Sequence, residues 1–224
     1  MRVYHFTSAV NAISNLSLQR LKVSKIGELN DPFELLAVDL LDKRHRNAVN
    51  SFKEELDRTH GLICFCSSFT NPLVWAHYAD RHKGVALGFD IPDDKSIKII
   101  YTEERPTVEF DERLQKIVNS EKVLNHLIGT KFRDWQYENE IRMYVSIKDK
   151  IPESGMVFEE FSSELELREV ILGARCELPI SGLRRLSLAN KTAVYVKKVK
   201  MALREFRVVE DRDTRISDEP PPHR

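Results

Sequence analysis

Three short runs of this 224-residue chain carry side chains capable of chemistry. The densest is Trp135-Gln136-Tyr137-Glu138-Asn139-Glu140-Ile141-Arg142. Read as a strand over 138–147, it sets Glu138, Glu140 and Arg142 on one face and Asn139 and Ile141 on the other, because strand side chains alternate. An arginine in that row can hold one carboxylate by a two-point bond. The second carboxylate is then available to accept a hydrogen bond or to stabilise a developing cation. An exposed strand would carry the same row as plain surface charge, whereas burying two unpaired carboxylates is costly.

The second run is Tyr4-His5-Phe6-Thr7. On a strand, His5 points away from Tyr4 and Phe6. A neutral imidazole both donates and accepts, so His5 can hold a sugar hydroxyl, or it can simply tie down a backbone group at the domain edge. The third run is Cys64-Phe65-Cys66-Ser67-Ser68, followed by Trp75, His77, Tyr78, His82, Lys83 and Gly84. A strand passing into a helix through a serine-rich turn exposes hydroxyls and amides at one point. Trp75 and Tyr78 are three apart and share a helix face, which either packs in the core or walls a pocket for a planar ring. Cys64-x-Cys66 with His77 and His82 fits none of the usual structural zinc spacings, so a buried apolar pair is the simpler reading.

These groups need a scaffold, and its elements are legible in outline. Residues 2–6 read as a strand. Ser8 is an N-cap, with Val10, Ile13 and Leu16 following at helical spacing. Residues 18–24 read as a strand, and Asn30-Asp31-Pro32 is a turn signal ahead of Phe33 and Glu34. A helical or mixed stretch follows over about 33–56, then a buried strand over 62–67. Asn71-Pro72 opens a helix that ends near Gly84. Strands are expected at 85–89 and 97–101, a helix over 111–131, and strands at 138–147, 170–172, 193–199 and 203–209. A short helix is expected near 179–187.

Strands and helices mix without a βαβ rhythm, which predicts one α+β domain over 1–209. The charged, proline-rich tail 210–224 is expected to fray. Apolar residues make up 42% of the chain and charged residues 31%, an ordinary globular balance. Lys plus Arg equals Asp plus Glu at 35 each, which argues against a whole-surface preference for nucleic acid or anionic membrane. Three cysteines make no disulfide framework, and neither a signal peptide nor a membrane-spanning run stands out. A soluble, cytoplasmic protein without membrane association is expected.

Taken together, the motifs NDPFE, CFS, W-x-H-Y-A with H-K-G, and W-x-Y-E-x-E-x-R resemble a widespread bacterial family of unknown function, over residues 4 to about 173. A looser resemblance is to the ADP-ribosyltransferase fold, in which a split, mixed or antiparallel sheet with flanking helices clasps NAD. That resemblance implies cleavage of the nicotinamide–ribose bond of NAD and transfer of ADP-ribose to a protein, DNA or RNA acceptor. It implies that His5 and Thr7 hold the adenosine-side ribose, and that the strand at Cys64–Ser67 holds the nicotinamide amide. Trp75 or Tyr78 would meet the nicotinamide ring, with Arg142 also at the NAD site. Glu140 would be the catalytic glutamate, with Glu138 the first of the pair. A toxin or phage-defence role, with an antitoxin or immunity partner, fits such an enzyme. Two other readings compete: a nucleic-acid hydrolase or phosphotransferase using His5, His77 and a carboxylate, and a nucleotide-binding module without turnover.

Overall fold

Caps and breakers set the element boundaries. In a computed structural model, which describes residues 1–31, 42–105, 110–111, 116–117, 128–188, 190 and 193–213, the Ser8 hydroxyl accepts from the Asn11 amide and starts the first helix. Asn71 does the same for Leu73 ahead of Pro72. Both caps satisfy amide donors that a helix start leaves without intrahelical partners.

The elements run β1 (Arg2–Thr7), α1 (Ala9–Leu18), β2 (Arg20–Val23), α2 (Lys43–Thr59), β3 (His60–Cys66), α3 (Pro72–Tyr78) and β4 (Val85–Asp90). Then come β5 (Ser96–Lys98), β6 (Ile100–Thr102), β7 (Phe110–Asp111), β8 (Lys116–Ile117), β9 (Thr130–Phe132) and β10 (Glu140–Ser146). The chain continues with β11 (Val157–Glu160), β12 (Glu166–Leu172), α4 (Ile180–Ser187), β13 (Tyr195–Met201) and β14 (Val208–Glu210). This is an α+β protein with a mixed, mostly antiparallel sheet and a few helices. No helix among the described residues is long and apolar enough to cross a membrane.

The chain gathers into two compact units: Met1–Leu21, Phe65–Asp94 and Glu160–Arg224 form the first, and Lys22–Cys64 and Lys95–Glu159 the second. In the first, the strand order is β14-β13-β12-β4-β1, followed by the last residues of β3. Among the described residues of this unit the β12–β13 pair is parallel and the other pairs are antiparallel; β1 pairs with β4 in the register Tyr4↔Gly88 and His5↔Leu87. Alternation along β1 puts Phe6 edge-on to Trp75 at 5.0 Å and Tyr4 edge-on to Phe69 at 5.3 Å. His5 meets Phe65 at 6.0 Å. Val3, Leu16, Trp75, Leu87, Phe89, Val170 and Ile171 are enclosed in the core. Arg2 ties β1 to Asp90 of β4 and Glu169 of β12, and Lys197 of β13 meets Glu169 at 3.1 Å.

In the second unit, β10 pairs antiparallel with β5, β6 runs parallel to β9, and β7 pairs antiparallel with β8. Leu62, Ile63, Ile128, Ile141 and Met143 are buried there, with Val49 and Leu56 from α2.

Several expected boundaries move. The helix expected over 111–131 does not begin at 111, because Phe110↔Ile117 and Asp111↔Lys116 pair as a ladder; residues 118–127 lie outside the described residues, as do Pro32, Phe33 and Glu34. The helix opened by Pro72 stops at Tyr78 rather than near Gly84. Val10 and Ile13 of α1 face outward, and the buried stripe is Ala12, Asn15 and Leu16. The strand expected over 203–209 shortens to β14, and Leu203 and Phe206 stand fully exposed before it. Glu210 ends β14, and residues 214–224 lie outside the described residues.

The early stop of α3 has a backbone cause. Asp80, Arg81 and His82 all take the left-handed conformation, with φ of 43°, 54° and 71°. Residues without a glycine's freedom adopt it at a cost, so the surroundings must hold them there. The Arg81 and His82 amides donate back to Ala76 and Trp75, and the His82 carbonyl accepts from Arg175. Gly84 then passes so close to β1 that an added Cβ would lie 2.1 Å from the Thr7 carbonyl oxygen. Gly84→Ala is therefore expected to destabilise the fold by about 3 kcal/mol or more, since the obstruction is backbone that cannot swing aside. Urea unfolding would measure it, and a loss below about 1 kcal/mol would contradict this packing.

Candidate functional site

The candidate site is a buried cluster of charges in the second unit. Strand β10 begins at Glu140, immediately after Asn139, whose left-handed φ of 46° ends a 3-10 turn over Arg133–Glu138. The row expected on one strand is therefore split. Glu140 and Arg142 do share a face of β10, as a spacing of two requires. Glu138 sits on the preceding turn and reaches the same cluster from another direction.

The side chain that joins them is Lys131, on β9. Its Nζ lies 2.7 Å from Glu138 and 3.1 Å from Glu140. Arg142 binds Glu140 through two points, Nε to Oε1 at 2.8 Å and a terminal nitrogen to Oε2 at 3.0 Å. Its other terminal nitrogen donates to the Ile128 carbonyl at 2.8 Å. Tyr101 of β6, adjacent to Lys131 in the parallel ladder, accepts the Glu140 amide at 2.8 Å. The half-buried Cys64 thiol also hydrogen-bonds Glu140. Half-buried Trp135 lies under the Lys131 ammonium, 5.0 Å from ring centre to Nζ.

Burial makes this cluster unusual. Glu138 is 4% exposed, Glu140 6%, Lys131 8% and Arg142 0%. Two carboxylates and two cations balance, which is what allows four charges to leave water together. Burial alone would raise the Glu140 pKa, but the Arg142 charge and hydrogen bonds, with Lys131 behind them, bring it down to about 2. Burial pushes the Tyr101 phenol up to about 12, so it stays protonated. Glu140 is thus a fixed anion at neutral pH. It can stabilise positive charge or accept a hydrogen bond, and it is a poor proton carrier.

The second unit therefore brings together Cys64, Glu138, Glu140 and Arg142, four of the residues singled out from the sequence. It adds Lys131, Tyr101 and Trp135, which sequence reasoning left out of the site. Lys131 was hidden at the end of an expected helix. Its visible signal was position alone, four residues before Trp135 and seven before Glu138. The remaining candidates belong to the first unit. His5 is half-buried in mid-β1, and Thr7, 7% exposed, ends that strand opposite Val85. Ser67 is exposed just after β3. Trp75 is completely enclosed, its indole N–H donating to the Phe69 carbonyl at 2.6 Å. On the same helix Tyr78 is half-buried and His77 exposed.

Residues 74–143 match the family described as "Protein of unknown function (DUF2971)". The matched segment starts in α3 and ends in β10. It contains Trp75, His77, Tyr78 and the whole Lys131–Glu138–Glu140–Arg142 cluster. No curated protein and no solved structure matches the chain.

The Glu140 environment predicts an acid limb in stability. The folded pKa lies below the ordinary value of 4.5, so the ionised cluster contributes fully above 4.5 and loses that contribution as pH falls towards 2. The gap is worth about 3 kcal/mol. Glu140→Gln should remove this limb and destabilise the protein by about 3–5 kcal/mol at neutral pH, because Arg142 loses its charged partner in the interior. Urea titrations of both proteins between pH 2 and pH 7 would show it; parallel stability curves would contradict the assignment.

Proposed function

We propose that the chain is an NAD-consuming enzyme of ADP-ribosyltransferase type, with Glu138 and Glu140 as its acidic pair. The observation that carries this reading is the state of Glu140: a carboxylate kept ionised inside the protein by Arg142 and Lys131, with Glu138 on the same lysine. Support also comes from the resemblance in the order of the motifs, and from an α+β architecture with a mostly antiparallel sheet.

The chemistry asks for such a group. When the bond between ribose C1′ and the nicotinamide nitrogen breaks, nicotinamide leaves with the bonding pair and positive charge develops on the ribose. A carboxylate accepting from the ribose 2′-hydroxyl stabilises that charge, and one already fixed in place needs no reorganisation. An acceptor nucleophile on protein, DNA or RNA then bonds to C1′ and gives up its proton. Glu138 is the carboxylate assigned to receive it, since Glu140 is held too acidic for the task.

One observation favours a second reading, a nucleotide-binding module without turnover. Both Glu140 oxygens are already engaged, and the residue is 6% exposed. A purely architectural cluster would look the same.

The two readings separate by incubating the protein with NAD and following free nicotinamide by chromatography, with binding measured by calorimetry. The transferase reading expects release, lowered on the order of 100-fold or more in Glu140→Gln, which loses the carboxylate that stabilises the developing ribose cation. That variant also leaves Arg142 without its charged partner, so release is compared at a temperature where circular dichroism shows both proteins folded. NAD binding without release would establish the module instead. Neither binding nor release by the folded protein would end both.

A further inference from the structure

His82 opens the H-K-G motif, and neither the charge cluster nor the NAD reading uses it. Its backbone is left-handed, with a φ of 71°. A histidine keeps that conformation only where its surroundings hold it. The amide donates to the Trp75 carbonyl at 3.1 Å, and the carbonyl accepts from the Arg175 amide at 3.0 Å. The ring lies nearly parallel to the enclosed Trp75 indole, with 6.4 Å between centres. It also donates to the carbonyl of Pro72, the first residue of α3. His82 thus ties α3, at Pro72 and at Trp75, to the segment after β12. Gly173 brings that segment so close that an added Cβ would sit 2.2 Å from the His82 carbonyl oxygen.

The two ring nitrogens differ in their surroundings. Nδ1 is enclosed without a hydrogen-bond partner among the described residues. The bond to Pro72 therefore falls to Nε2, and the ring that fits is the neutral one protonated there. A second proton would go to Nδ1. An enclosed donor without an acceptor is costly, and a charged one more so. The neighbours offer no relief. Pro72 and Trp75 of α3 bring no charge, and Asp80, Arg81 and Lys83 of its own turn are exposed. Arg175, from the segment after β12, is the charge that acts on the ring, and its sign repels an imidazolium. No carboxylate is among the groups acting on it.

We propose that His82 is an acid-released latch, whose protonation frees the start of α3 and the turn that follows it. Burial and the Arg175 charge hold the ring of the closed form below its ordinary pKa of 6.5, and the bond to Pro72 only partly offsets them. The released ring, in water, takes its proton near that ordinary value. The latch is therefore fully closed above 6.5 and weakens as pH falls below it, until the closed form is protonated as well. This response begins well above the acid limb of Glu140, which sets in below 4.5. It needs neither NAD nor turnover.

NMR of the full chain with ¹⁵N-labelled histidine and backbone, titrated from about pH 8 to about pH 4.5, tests this. At neutral pH the His82 ring should be the Nε2–H tautomer, and its midpoint should lie below 6.5. The Trp75 indole N–H and the Gly84 amide, bonded to Phe69 and Ala79, should shift and exchange faster with solvent at that same midpoint. His82→Asn should hold both resonances constant across the range, since asparagine tolerates left-handed backbone and carries no titrating ring. Arg175→Gln should move the midpoint upward, and because it leaves the imidazole in place it decides the matter whether or not His82→Asn folds. Four results would overturn the proposal: a midpoint at or above 6.5, Trp75 and Gly84 signals unmoved while His82 titrates, a response that persists in His82→Asn, or a midpoint unchanged in Arg175→Gln.

Discussion

Four charges share one desolvated space in the second unit, and the local structure is arranged around keeping them paired. Arg142 is fully enclosed, so its charge must be met within the protein; two-point contact with Glu140 and a bond to the Ile128 carbonyl do this. Lys131 brings the second cation and draws Glu138 in. Backbone features around the cluster position its members: Lys131 pairs with Tyr101 in the β6–β9 ladder, the left-handed Asn139 separates Glu138 from Glu140, and the Tyr101 hydroxyl accepts from the first amide of β10. Buried ion pairs add little net stability compared with hydrocarbon of the same volume, but losing one partner is expensive. Such a cluster is therefore better explained by what it specifies or does than by how firmly it holds the fold.

The first unit stores its tension differently. Three consecutive left-handed residues, Asp80 to His82, connect a short helix to a strand that must pass directly over the Thr7 carbonyl. Gly84 makes that passage possible, and Gly173 lies equally close to the His82 carbonyl. The amide bonds from Arg81, His82 and Arg175 hold the turn. Strain of this kind persists only where surrounding contacts over-determine it. Here the contacts run between α3, β1 and the segment after β12, so the turn locks together parts of the chain that are distant in sequence.

Much of this could be read from residues, and the failures have physical causes. Ser8 and Asn71 announced their helices because capping is local chemistry. Glu140 and Arg142 share a face because a spacing of two does so on any strand. Glu138 left that strand because Asn139 takes a conformation that alternation does not anticipate. Lys131 was missed because its role depends on β9 lying beside β6, a pairing between residues about thirty apart that no local pattern encodes. Val10, Ile13 and Leu16 recur at helical spacing, which announces a helix without saying which of them is buried, and only Leu16 is enclosed. The core of the first unit is closed by Ala12, Asn15 and Leu16 instead.

The acidity of Glu140 constrains the chemistry more than its identity does. A carboxylate with a pKa of about 2 stays charged across the physiological range, so its contribution there is a constant field. It cannot gate activity by protonation near neutral pH, and it cannot usefully collect a proton from a nucleophile. Tyr101 is excluded as a base for the opposite reason, since burial keeps its phenol protonated to about 12. Lys131 touches both glutamates and so couples the two buried acids. Glu140 is the fixed anion of the cluster because a two-point guanidinium and a lysine both meet it, and together they outweigh the cost of its burial.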